Sequence, residues 1–355
     1  MSRSSVRFRQ VAQVEGEGGN KEKTIKNKKD RAENLFCFLS LSLFIFSVGS
    51  FMKKIPLLLS LSLFATSIFA ADPIGFAFLR TPVGARPAAM GASFLAVARD
   101  AHAIYYNPAG LANMPTRTGA FGYLNHILDI QSFFGAYVHP HARGSYGIAL
   151  NYADYGEFAR TNELGEENGS FGASTLVAYL SYSQLRGERL MLGANLKLIR
   201  AQLEQFSADA VAVDLGFIYQ STIMENLTFA GGIFNLGKER AAFIKTKESL
   251  PLNVQFGVSK KLAHLPLMYS LTLLKYQEED LRFRAGGEFI LSKGLMMRLG
   301  YDTVRGDQKV GTDADRFAGL SFGLGLTMHD YTLDYSLSSF GEVGSLNRLS
   351  FAMTF

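Results

Sequence analysis

From about residue 117 to the C-terminus, apolar and small or polar residues alternate one by one. Leu320, Phe322, Leu324, Leu326 and Met328 are interleaved with Ser321, Gly323, Gly325 and Thr327. Tyr331, Leu333, Tyr335 and Leu337 are interleaved with Thr332, Asp334, Ser336 and Ser338. Leu190, Leu192, Ala194, Leu196 and Leu198 alternate with Met191, Gly193, Asn195 and Lys197, and Val211, Val213, Leu215, Phe217 and Tyr219 with Ala210, Ala212, Asp214 and Gly216. Successive side chains of a β-strand point to opposite faces, so each run predicts a strand with one apolar face and one small or polar face. The whole region therefore reads as all-β.

A soluble sandwich also alternates, but two features favour a transmembrane antiparallel up-and-down β-barrel. Many runs are long enough for a tilted membrane strand of about 9–11 residues, where globular strands centre near 5–6. The interruptions also fall into two alternating sets. One lies near 126–130, 154–170, 201–207, 237–249, 276–280, 305–315 and 339–346. The other lies near 140–143, 185–188, 221–226, 263–266, 292–294 and 329–330. The first set is mostly longer, as expected for external loops opposite short periplasmic turns. These breaks delimit 14 strands with both ends on the periplasmic side. In the last segment Leu349, Phe351, Met353 and Phe355 share one face. Phe351 and the terminal Phe355 are the residues expected to engage the barrel-assembly machinery.

Upstream, Met52-Lys53-Lys54 opens a charged region, Ile55–Phe69 is apolar, and Ala70 supplies a small residue for cleavage. Residues 52–70 thus read as a signal peptide. A membrane anchor is the competing reading, but the run is shorter than the ~20 residues a spanning helix needs. Residues 1–51 join a Lys-rich stretch to a second apolar run and read as an over-long extension, with an extended signal as the alternative. After cleavage the chain would begin at Ala71 or Asp72 and lie in the bacterial outer membrane, in contact with its lipid.

The composition agrees: 35 Gly, 29 Phe and 15 Tyr, with only 9 Pro and no Trp, suit a β-rich chain. The net charge of +5 invites a nucleic-acid reading, but its location removes that reading. Residues 1–51 carry nine Lys/Arg against five Asp/Glu, and Lys53 and Lys54 follow, which leaves 25 basic and 26 acidic residues from 72 onward. No basic footprint survives there. The single cysteine, Cys37, lies in the upstream part, so the remainder has no internal disulfide or thiolate metal site.

Residues 71–116 do not alternate. Arg86–Asp100 is rich in small residues and reads as helical or irregular, and Asn107 can cap a short helix that starts at Pro108. A segment this short cannot form a core of its own. Its apolar groups, including Phe76, Phe94, Ile104 and Leu111, predict a plug inside the barrel, with 103–114 in the lumen against small wall residues at Gly147, Ala149, Ala208, Ala210, Ala212, Gly323 and Gly325. The run FLRTPVGARPAAMGASFLAVARDAHAIYYNPAGLA (78–112) resembles the N-terminal signature of the PorV/PorQ family within the FadL-like outer-membrane barrels. Asn107-Pro108-Ala109 matches the NPA element of that superfamily, and YGEFARTNELGEENGSFGAS (155–174) resembles the first long loop of the PorV-like branch. The resemblance implies a 14-stranded barrel over about 117–355 with an N-terminal hatch that contains Tyr105, Tyr106, Asn107, Pro108, Ala109 and Gly110. It implies passage of hydrophobic compounds or handling of exported proteins, with hydrophobic small molecules or type IX secretion components and cargo as partners.

Chemical motifs are weak. Gly319-Leu320-Ser321-Phe322-Gly323 matches a serine-hydrolase string, but Ser321 lies mid-strand, where no exposed nucleophile elbow forms. His139 and His141 are too few for a zinc site. Asp307, Asp313 and Asp315 lack the spacing of a calcium loop and read as a solvated loop. Arg282, Arg284 and Glu288 share one face of a strand, with Arg298 and Asp302 on the matching face of the next. They read as lumen-facing groups that brace or line the interior. The chain is expected to be non-enzymatic, with no cofactor, metal or nucleic-acid partner.

Overall fold

In the computed structural model the described residues are 75–355, except 128–129, 163, 244–246, 278 and 304–315. The segments expected to be a signal peptide and an upstream extension, and the aspartates 307, 313 and 315, lie outside them. The strands are β1 (Thr118–Asn125), β2 (Gln131–His141), β3 (Gly144–Thr161), β4 (Glu167–Arg186), β5 (Leu190–Leu203), β6 (Phe206–Gln220), β7 (Leu227–Ala241), β8 (Asn253–Lys261), β9 (Leu267–Tyr276), β10 (Arg282–Ile290), β11 (Leu295–Asp302), β12 (Leu320–Met328), β13 (Tyr331–Ser339) and β14 (Ser345–Thr354). Each pairs antiparallel with its sequence neighbours, and β1 pairs with β14 from Thr118↔Thr354 to Asn125↔Asn347. The 14 strands therefore form a closed barrel. Closure leaves no sheet edge with unpaired backbone groups.

The period-2 pattern maps onto the two wall surfaces. Leu320, Phe322, Leu324, Leu326 and Met328 are exposed on the outside, while Ser321, Gly323 and Gly325 are buried inside. On β13, Tyr331, Leu333, Tyr335 and Leu337 face out and Asp334, Ser336 and Ser338 face in. The outer wall is apolar around the barrel, the inverse of a soluble surface. Aromatic side chains mark both rims: Tyr123, Phe133, Phe283 and Tyr301 near one, and Tyr137, Tyr146, Tyr182, Tyr219 and Tyr331 near the other.

Connections at the rim where β1 starts and β14 ends are short; those at the opposite rim are mostly longer. Two of the expected loops are strand instead. Residues 154–170 are not a plain loop: β3 and β4 stay paired out to Thr161↔Glu167, with register shifts between Asp154 and Glu157 and between Ala159 and Thr161. Residues 201–207 close as a tight turn, because β5 and β6 pair to Leu203↔Phe206 and Glu204 takes a left-handed φ of 55°. Beyond the wall both faces of such a ribbon meet water, so no apolar face reveals it in the sequence.

Residues 75–116 form no strand. They contain a 3₁₀ turn (Ala77–Arg80), helix α1 (Ala85–Ala89), helix α2 (Ala103–Tyr106) and a second 3₁₀ stretch (Pro108–Asn113). The segment starts at the long-loop rim, where the Gly75 N–H donates to Ser249 O at 3.0 Å. It reaches the short-turn rim at Arg117, whose carbonyl accepts from the Phe355 N–H at 2.9 Å. Phe94, Leu95, Ile104 and Leu111 along it are almost completely buried.

Candidate functional site

The inward faces of several strands carry glycines where the N-terminal segment approaches. A Cβ on Gly193 would lie 2.2 Å from the Ala109 nitrogen, and one on Gly300 would lie 1.9 Å from the Gly91 nitrogen. Neither backbone can move aside without displacing the segment. Gly147 faces Ile104 and Leu111, and Gly323 faces Ala89. Gly325 differs from expectation: it sits under Arg298 and Asp334, where its missing side chain makes room for an ion pair rather than for the segment.

The Tyr-Tyr-Asn-Pro-Ala-Gly run is held by its own hydrogen bonds. Asn107 Oδ1 accepts from the Ala109 N–H at 3.2 Å and so caps the 3₁₀ stretch begun by Pro108. Asn107 Nδ2 donates to Leu95 O within the segment and to Phe217 O on the wall, each at 3.1 Å. Gly110 passes so close to Ala98 that a Cβ would lie 1.9 Å from its carbonyl oxygen. The Tyr105 hydroxyl donates toward Leu79 O and Thr81 O, each at 2.8 Å, and that of Tyr106 toward Val83 O at 2.9 Å. The two tyrosines thus tie the second helix back to the start of the segment.

The charged wall residues are brought together, and the segment joins them. Arg298 pairs with Glu288 at 2.7 Å and with Asp334 at 2.6 Å. Glu288 also accepts from Arg86 at 2.9 Å, and Arg86 reaches Asp100 at the same distance. The chain Asp100–Arg86–Glu288–Arg298–Asp334 links the segment to three strands. Burial alone would raise the Asp100 pKa, but His102 and Arg86 outweigh it and hold the carboxyl well below its usual range. Arg284 pairs with Asp302 at 3.2 Å, and Arg282 with Glu279 at 3.0 Å near the loop rim. A second buried cluster lies across the lumen: Lys197 contacts Asp214 at 2.9 Å, and Asn195 bridges Asp214 to Ile104 O. The alternation already placed Lys197, Asp214 and Asp334 on the inward face. Nothing in the sequence marked Arg86 and Asp100, which have no strand period to orient them.

Ser321 lies within β12, 3.2 Å from the Ser338 hydroxyl, on a buried face rather than on an exposed turn. His141 stacks on Tyr146 and Tyr182, and His139 lies 3.5 Å from the Tyr137 hydroxyl, so both histidines belong to the short-turn rim. Phe351 stacks on Tyr331 outside the wall, and Phe355 is exposed at the seam beside β1.

At the long-loop end, residues 77–84 leave a cavity of about 280 Å³ against β1–β4 and β14. Phe78, Val83, Leu124 and Phe134 give it apolar sides, and Thr175, His126 and Arg348 add polar groups. Arg348 also secures the segment, donating to Pro82 O at 3.3 Å. His126 lies 2.8 Å from the Ser132 hydroxyl, and burial, then the nearby Arg348 charge, pushes its pKa down to about 4. The cavity is thus an apolar pocket with one permanent cation.

A model of an uncharacterised protein family, UPF0164, matches residues 69–228. No curated protein matches the chain. Among solved structures, the monoaromatic hydrocarbon channel CymD is 11% identical with a TM-score of 0.53, over 77% of this chain and 97% of that one. The Pseudomonas putida toluene transporter TodX is 10% identical (TM-score 0.47, 72% and 94% covered). A Pseudomonas aeruginosa FadL homologue is 11% identical (TM-score 0.47, 78% and 98% covered). At these identities the likeness to CymD is one of fold.

Proposed function

We propose that this chain is a non-enzymatic outer-membrane barrel of FadL-like, PorV/PorQ type that admits hydrophobic compounds at its long-loop rim, with residues 75–116 as its hatch. In this reading the signal peptide ends at Ala70. What supports it is a closed barrel with an apolar outer wall, whose inward glycines and Glu288 meet residues 75–116 beside a cavity with apolar sides. The apolar wall fits lipid and not water. The cavity walls fit an apolar guest, as in the channel whose fold the chain shares. Release of the guest requires the hatch to shift, because the segment fills the way from the cavity to the short-turn rim.

The test uses the full chain reconstituted in lipid vesicles, with a hydrophobic fluorescent probe outside. Asn107→Ala with Pro108→Ala removes the cap and both amide links of Asn107 to its surroundings. Probe entry should rise while the barrel stays folded, as judged by its compact form on unheated gels. Unchanged entry in a folded variant would overturn the transport reading. It would favour a second reading, in which a permanently plugged barrel serves a type IX secretion translocon as a binding component. The observation behind that alternative is the exposed β3–β4 ribbon, where Phe158 and Phe171 stack at 5.5 Å outside the barrel and could receive a protein partner.

A further inference from the structure

Toward the long-loop rim, the outer face of β5–β7 is charged rather than aromatic. The outward residues there are Leu196, Leu198 and Arg200 on β5, Val213, Val211 and Asp209 on β6, and Leu236, Lys238 and Arg240 on β7. None is aromatic, and each strand passes from apolar to charged side chains toward the rim. Register makes them neighbours: Leu198 pairs with Val211 and Arg200 with Asp209, while Val211 pairs with Lys238. A groove of about 510 Å³ runs across this patch, lined by Leu176, Leu198 and Val211 together with Arg200, Asp209 and Arg240. A register shift at Asp209/Ala210 breaks the wall's regular ladder where the groove lies.

The charge balance is one-sided. Three cations meet one acid, and Asp209 reaches Arg200 only at 3.9 Å. Among the described residues Lys238 and Arg240 make no ion pair. The nearby acids are engaged elsewhere: Glu239 points inward and accepts from the Glu248 N–H, and Glu204 pairs with Arg160. Two exposed arginines and a lysine beside outward-facing leucine and valine match one class of molecule, a lipid whose phosphate sits among cations and whose acyl chains lie against those apolar side chains. Arginine suits phosphate because its planar fork can donate two hydrogen bonds at once.

We propose that the outer face of β5–β7 at the long-loop rim is a docking site for a membrane lipid with a net anionic phosphate headgroup, held by Arg200, Lys238 and Arg240. This rests on the reading of the chain as a membrane barrel. The lipid serves as a fixed boundary molecule, beside the wall rather than inside the lumen.

The test is lipid retention by the full-length barrel, extracted from vesicles of phosphatidylcholine with phosphatidylglycerol and weighed by native mass spectrometry. The wild type should keep phosphatidylglycerol in preference to phosphatidylcholine. Arg200→Gln with Arg240→Gln should weaken retention by about fivefold per arginine, the scale of one basic residue at an anionic membrane surface. Asp209→Asn should strengthen it, an opposite sign that a merely damaged fold would not produce. Equal retention of the two lipids by the wild type, or unchanged retention in the double variant, would overturn the proposal. Displacement by millimolar inorganic phosphate would overturn the assignment to a lipid. A chain left in the aqueous fraction would sink the membrane reading itself, and the docking site with it.

Discussion

Arg298 shows how much depends on single inward residues. It is 1% exposed and serves two carboxylates, Glu288 and Asp334. Replacing it by Met keeps its bulk but strands Asp334, and breaking a buried pair from one side costs about 3–5 kcal/mol. R298M should therefore lose its compact gel form at a markedly lower temperature, and adding Asp334→Asn should restore part of the loss. His126 carries a pH dependence. Its pKa falls from 6.5 to about 4 in the folded chain, so its neutral form contributes stability that is present above pH 6.5 and lost as pH falls through 4. The gap in melting temperature between the wild type and His126→Asn should change over that window and be flat above it. Alternation alone assigned Arg284, Glu288, Arg298 and Asp302 to the lumen. It could not show that Arg86 bridges Glu288 to Asp100, because that contact joins residues about 200 positions apart through a segment with no period.

Among elements, the strands were legible and the ribbons beyond the wall were not. One face of β12 or β13 meets an apolar medium and the other a crowded lumen, so each position has one acceptable class of residue. Above the rim that constraint ends, and the paired continuation of β3 and β4 out to Thr161↔Glu167 carries no apolar stripe. The terminal strand was legible for the same reason as β12, and its role at the seam gives an expectation. β14 pairs with both β13 and β1, and the last residue anchors the seam through its N–H to Arg117 O. Deleting Phe355 should reduce assembled barrel in the outer membrane at unchanged synthesis, and immunoblots of heated and unheated membranes would read this. Normal amounts of the compact form would mean that the seam tolerates losing its last contact.

At the scale of the molecule, residues 75–116, made before any strand, pack closely against inward-facing positions of the barrel strands. The segment passes Gly193, Gly216 and Gly300 with no spare room, and its first described residue lies at the rim opposite to the one where β1 begins and β14 ends. Such an arrangement is a threading problem. A leader through a finished ring must either be pulled through its bore or be enclosed while the ring is open. The tightness at the glycines rules out the bore for anything wider than bare chain. We expect the sheet instead to wrap around the segment as a sleeve is rolled around a rod, with the β1–β14 seam closed last. A short epitope placed just before Gly75 should then be reachable by antibody from the loop side of intact membranes. A stably folded domain fused at the same place should stall the barrel with its seam open, unless that domain is carried across before closure.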